Sequence, residues 1–240
     1  MMDEKTILLK RTARFAGVLY LAWVLTGLYG MIYVPSQTIV SGDAAATADK
    51  ILRNEFIFRT GIFNDIISIV ISVFMLLALY RLFREVNERQ AKLMVALLGV
   101  TIPVSFIMDA CSFTSLMLFK GELLKTMEVS QRNEMALLFL KISDYGILAL
   151  EMFWGLWLIP FGQLVYKSKF IPRIIGIFLL LNGVAYVIQS ITSVLFPDYQ
   201  EMVKRFGMPF WVLGEISIML WLLIKGIRVP PVNSARKASA

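Results

Sequence analysis

Hydrophobic residues in this chain do not alternate with polar ones at the period of a soluble helix or strand. They fill six long runs separated by short polar stretches, at about residues 15–34, 56–80, 93–119, 135–166, 174–196 and 209–224. A helix rising 1.5 Å per residue needs roughly 20 apolar residues to cross a hydrocarbon core of about 30 Å. Lipid offers no hydrogen bonds, so a chain crossing it satisfies its own backbone by coiling into helices. The pattern predicts an all-α, polytopic integral membrane protein: one six-helix transmembrane bundle over residues 1–228 and a disordered cytoplasmic tail over 229–240. The first run has the basic start of a signal peptide. Its apolar core is longer, and it ends without a small-x-small site, so it reads as a span.

Composition agrees. Of 240 residues, 58% are hydrophobic and 17% charged, with a mean hydropathy of +0.72; soluble domains are about half apolar and about a quarter charged. Fifteen of the 24 lysines and arginines fall on segments sharing a side with the N-terminus. Seven fall on the opposite side, and Arg59 and Lys141 lie within the runs. That bias places both termini in the cytoplasm. The net charge of +7 then reads as basic loops against anionic lipid rather than a nucleic-acid surface. Membrane lipids are the expected partners; nothing in the chain specifies an oligomeric state.

Local signals add detail. Ser41-Gly42-Asp43 before Ala-Ala-Ala-Thr-Ala predicts a capped short helix on the outer surface, turning into the second span near Glu55. Lys120 to Glu134 is polar and helix-compatible. Pro103 and Pro160 predict kinks. Gly155 with Gly162, and Gly176 with Gly183, are seven apart on one face and predict close helix contacts. Tyr20, Trp23, Tyr29, Tyr33, Tyr199, Trp211 and Trp221 include candidate interfacial anchors. Arg14-x-x-Gly17 and Arg173-x-x-Gly176 open two spans, each followed by a helix bearing Gly and an acid (Gly61 with Asp65, Gly214 with Glu215); duplication and chance both account for this echo.

The chain contains no histidine and one cysteine, Cys111. This removes Ser-His-Asp catalysis, histidine-ligated zinc and bis-histidine haem. There is no P-loop, GxGxxG or GxSxG motif. No catalytic residue, metal ligand or cofactor is assigned.

The candidate chemistry lies inside the runs. Asp65, Asp109, Asp144, Glu151 and Glu215 are embedded there, with only Arg59 and Lys141 as cations. A charge at a helix centre costs about 2.5–3.5 kcal/mol even on the lenient scale, so each acid has to be paired, protonated or wet. Lys141, Asp144, Leu148, Glu151 and Gly155 share a helix face; so do Thr101, Ser105, Asp109 and Ser112; Gly61, Asp65, Ser68 and Ser72; and Asn182, Gln189 and Ser193. Measured from the outer end of each run, Asp65, Asp109, Asp144, Gln189 and Glu215 fall at about 10–15 Å depth, with Glu151 and Asn182 deeper. The expectation is a polar cavity in the outer half, lined by these nine charged and amide residues. Against it stand structural readings: Arg59 snorkelling to headgroups, a Lys141–Asp144 intrahelical pair, and Asp65 with Asp109 as interhelical glue.

Arg11-Thr-Ala-Arg14-Phe-Ala-Gly-Val-Leu-Tyr-Leu opens the first span, and Gly42-Asp43-Ala-Ala-Ala-Thr-Ala follows in the first outer loop. Phe153-Trp-Gly-Leu-Trp-Leu-Ile-Pro-Phe-Gly-Gln-Leu-Val-Tyr166 runs into Lys-Ser-Lys-Phe170-Ile-Pro-Arg173-Ile-Ile-Gly. In order and spacing these resemble the bacterial membrane family known as domain of unknown function 4386, from about Arg11 to Gly226. The resemblance implies a multi-span protein of the bacterial plasma membrane and brings no catalytic residues. Its relatives often carry histidine near the position of Ser143, which this chain lacks, so chemistry resting on that histidine would not carry over.

Three functions remain open at this level. One is binding or transport of a small cation, amine, amphiphile or proton-coupled solute in the acidic cavity. Another is a scaffold or regulatory subunit whose polar core only fixes helix register. The third, less favoured for want of a paired acidic motif, is a lipid-modifying enzyme using carboxylates and Mg²⁺.

Overall fold

The computed structural model describes residues 4–228. The expected tail at 229–240 lies outside the described residues. Apart from short connections, the described chain is helical: α1 (Glu4–Leu28), a π-helical turn (Tyr29–Tyr33), α2 (Val34–Thr38), α3 (Ala44–Arg53), α4 (Glu55–Phe83), α5 (Glu88–Gly99), α6 (Thr101–Phe119), α7 (Val129–Ser168), α8 (Arg173–Leu195), a 3₁₀ turn (Pro197–Tyr199) and α9 (Gln200–Ile224). Six stretches are long and apolar enough to cross a membrane: Glu4–Thr38, Glu55–Phe83, Glu88–Phe119, Val129–Ser168, Arg173–Leu195 and Pro197–Ile224. This is an all-α polytopic membrane fold. Large apolar side chains such as Phe56, Ile107, Val194 and Phe206 stand exposed along these helices, as lipid-facing positions do and a water-facing surface does not.

Prolines account for the interruptions. The third span breaks at Val100, between α5 and α6. Pro103 lacks the N–H that would bond the Gly99 carbonyl, and its ring crowds that carbonyl, so the helix restarts with proline in its first turn. The first span widens into a π turn directly before Pro35. Pro160 and Pro209 instead sit inside continuous helices.

Asp43 caps α3, its side chain accepting from the Ala46 amide at 2.9 Å, and Gly42 provides the positive φ of 77° that the preceding turn needs. Lys120 to Glu134 is not one helix. The chain turns through residues 120–128, with Gly121 and Leu124 at positive φ, and α7 starts only at Val129.

Two compact units divide the chain. Among the described residues, 4–21, 74–98 and 152–228 contribute to the first; Ala22–Val73 and Gly99–Glu151 form the second. In the first unit, the Phe83 ring contacts those of Phe161 and Phe170, each at 5.7 Å, and Phe161 stacks on Trp157 at 5.2 Å. Here α7 and α8 touch backbone to backbone. A β-carbon at Gly162 would stand 2.8 Å from the Gly176 carbonyl oxygen, and one at Gly155 2.6 Å from that of Gly183, so only glycine fits. The second unit packs Ala44, Ala48 and Ile51 of α3 against Phe58, Leu116, Phe119, Ala136 and Leu140. That apolar face, with Asp43 and Lys50 on the other, makes α3 amphipathic.

Candidate functional site

In the first unit, Asn182 of α8 is fully buried. It can enter because α9 carries glycine at the facing position: a β-carbon on Gly214 would lie 2.7 Å from the Asn182 β-carbon. The next residue is Glu215. The Asn182 Nδ2 donates to Glu215 Oε1 at 3.4 Å, and the Tyr20 hydroxyl of α1 donates to Oε2 at 3.2 Å. Tyr186 also hydrogen-bonds this carboxylate. Beside it, the Tyr186 ring stacks on Trp211 at 5.1 Å and 12° and meets Trp154 edge-on at 6.3 Å. Two polar atoms, Asn182 Oδ1 and Trp211 Nε1, are buried without a hydrogen-bond partner. Among the described residues no lysine or arginine pairs with Glu215. The result is a carboxyl group without a cationic partner, hydrogen-bonded to Tyr20 and to Tyr186, whose ring packs on Trp211 and Trp154; acid and aromatic faces are the groups that hold an organic cation.

The second unit holds another polar cluster. Asp65 lies against the π turn, its Oδ1 2.6 Å from where a Gly30 β-carbon would be. Asn64 Nδ2 donates to the Thr26 carbonyl at 2.9 Å and to Asp65 Oδ1 at 3.3 Å. Thr26 donates to Ser68 at 3.0 Å, and Tyr29 pairs with Thr60 at 2.7 Å. Asp109 is in electrostatic reach of Asp65, and its Oδ2 is buried without a partner. The widened turn thus seats a carboxylate on the backbone of its neighbour, a local irregularity that recurs at functional sites.

The sequence-predicted residues fall in both units. Asn182 and Glu215 come together in the first unit, and Asp65 and Asp109 in the second. Gln189 is buried but donates to Ser193 on its own helix at 3.1 Å, not to Glu215. Arg59 does not snorkel free: its Nε bonds Glu55 at 2.8 Å, with Lys120 on the same carboxylate oxygen at 3.1 Å, and its guanidinium lies over Phe113 at 5.7 Å. Lys141 and Asp144 are exposed, without an ion pair between them among the described residues. Glu151 is half-buried. No three acid or thiol side chains gather at metal-ligand spacing among the described residues.

The Asn182 hydrogen bond sets the level of Glu215 along the bundle axis of this unit. The helix α9 begins at Gln200, ahead of the apolar run that starts at Pro209. At 1.5 Å per residue Glu215 stands about 22 Å from that end and about 13 Å from Ile224, at the level of Asn182 rather than Gln189. Tyr20, Trp154, Tyr186 and Trp211 were not predicted as site residues. The signal was present for two: Tyr186 falls four residues after Asn182, and Trp211 four before Glu215, each on the polar face of its helix. Tyr20, a candidate interfacial anchor by sequence, is fully buried.

Taken together these features define a multi-span α-helical membrane protein with hydrogen-bonded carboxylates packed among its spans. The chain belongs to the family described as a domain of unknown function (DUF4386), whose model matches residues 15–226. An uncharacterized protein of Archaeoglobus fulgidus is similar, 26% identical over 166 residues that make up 69% of this chain and 83% of that protein. No solved structure matches the chain.

Proposed function

We propose that this membrane protein binds a small organic cation, an amine or quaternary ammonium, at Glu215, and that such binding underlies a receptor or transport role. One observation carries the reading: a carboxylate without a cationic partner is hydrogen-bonded to Tyr186, whose ring stacks on Trp211 and meets Trp154 edge-on. Carboxylate and ring faces both attract an ammonium group, and the attraction strengthens where water is excluded. The unpartnered Asn182 Oδ1 and Trp211 Nε1 leave hydrogen-bonding capacity for a ligand's polar end or for water. The charge bias of the loops supports cytoplasmic termini in a plasma membrane. On that orientation, Glu215 belongs to the inner half of α9, and the Asp65 cluster supplies the outward-facing acidic part of the reading.

A structural reading has its own support, since both Glu215 oxygens already accept hydrogen bonds and Gly214 fits Asn182 closely. Titrating the purified full-length protein with tetramethylammonium, while following tryptophan fluorescence, separates the two. Saturable change in wild type, abolished in Glu215→Gln and not produced by sodium, is expected. A flat titration would leave the cluster as helix glue.

A further inference from the structure

The connection from α7 to α8 and the end of α9 meet in the first unit around a concavity of about 400 Å³, lined by Lys169, Ile171, Pro172, Arg173, Ile174 and Arg228. Its construction is specific. The Arg228 amide donates to the Phe170 carbonyl at 2.8 Å, fixing the chain beyond α9 to the α7–α8 turn. Gly226, at φ 69°, allows the reversal that brings Arg228 there, and Lys169 holds the left-handed φ of 63°, uncommon for a residue with a side chain. Both guanidiniums rest on aromatic rings, Arg173 over Tyr166 at 5.4 Å and Arg228 over Trp221 at 5.0 Å.

Three cations therefore border one hollow, and among the described residues none of them pairs with a carboxylate. Among the described residues acidic partners are found for Lys5, Arg53, Arg59, Lys92 and Lys120 and not for the other lysines and arginines, so what distinguishes these three is that they border a single hollow. An unneutralised group of this kind calls for an anion, and the fork of arginine matches phosphate oxygens. The hollow opens where apolar spans end, beside exposed Ile174 and Tyr166, the level at which phospholipid headgroups lie.

We infer that Lys169, Arg173 and Arg228 form a binding site for the phosphate of an anionic phospholipid headgroup, with the acyl chains running along the apolar surface that includes Ile174. It is separate from the amine site and stands whether or not that reading holds.

Native mass spectrometry of the full-length protein, titrated with phosphatidylglycerol or phosphatidylcholine, tests this. Phosphatidylglycerol should be retained in preference, and Arg173→Gln with Arg228→Gln should lower its retention about tenfold, the effect of losing charge-assisted bonds. Arg84→Gln with Arg89→Gln, which removes the same charge from another loop, should leave it unchanged. If the first double variant does not fold, Lys169→Gln alone should give a smaller loss of the same selectivity. Equal retention of both lipids, or equal loss in both double variants, would overturn the site. Displacement of phosphatidylglycerol by millimolar inorganic phosphate would assign it to free phosphate and overturn the lipid claim.

Discussion

Gly155 and Gly183 face each other with no room for a side chain on either: a β-carbon on Gly155 would stand 2.6 Å from the Gly183 carbonyl oxygen, and one on Gly183 2.8 Å from that of Gly155. Trp154, next to Gly155, meets Tyr186, one turn beyond Gly183. The glycines thus set the separation of α7 and α8 at which the aromatic side of the Glu215 cluster forms. Gly155→Val should destabilise by about 1–3 kcal/mol through overpacking, read as a lower melting temperature in detergent, with loss of any amine response. An unchanged melting temperature would mean that the helices do not pack this closely.

Tyr20 reaches Glu215 from a distant part of the chain. Tyr20→Phe keeps the ring and removes only the donor, so it should cost about 1 kcal/mol and leave the helical content intact by circular dichroism. A loss several times larger would show the hydroxyl to be a central fold determinant.

How much of this was legible in the sequence differs by level. The six spans, the Asp43 cap and the glycine pairs follow from local pattern, because each depends on chain neighbours or on one helix face. The turn at residues 120–128 was not legible: Leu124 adopts a positive φ that a helix-compatible side chain does not announce. Pro209 sits inside α9, and a proline tolerated within a helix looks the same in sequence as one that starts it. Partners were least legible. Periodicity said that Asn182 and Glu215 face inward, but not that Gly214 would admit one beside the other, or that Tyr20 would be buried against them.

Asp43 offers an independent check on the first loop. Asp43→Ala removes the acceptor for the Ala46 amide and should cost about 1 kcal/mol, while Asp43→Asn, itself a good cap, should cost much less. Hydrogen exchange over Ala44–Arg53 would report it: faster exchange in the alanine variant only. Equal rates in wild type and both variants would argue against the cap.

Glu85, in the turn after α4, bonds Lys5 at 2.8 Å, and Lys5 holds its carboxyl below the ordinary glutamate range, mainly through that hydrogen bond. A group depressed in the folded state contributes stability above its unfolded pKa and loses it as pH falls through the folded value. The melting difference between wild type and Lys5→Gln should therefore be present at neutral pH, begin to decline as pH falls below the ordinary glutamate value of about 4.3, and vanish only below the depressed folded value. Both side chains are exposed, so the difference should be small and should shrink in high salt. A difference that grew on acidification would have the wrong sign.

The central claim is that the Glu215 carboxylate serves a ligand and not only the packing of its helices. The most direct measurement is the melting temperature of wild type and Glu215→Gln with and without tetramethylammonium. A ligand that binds only the folded state raises melting by mass action. The account predicts a concentration-dependent rise in wild type, none in Glu215→Gln, and similar melting of the two without ligand, since the glutamine oxygen still accepts from Tyr20 and its amide can donate to the otherwise unpartnered Asn182 Oδ1 once the Asn182 amide turns over. A wild type indifferent to the amine, beside a glutamine variant that melts much earlier, would contradict it.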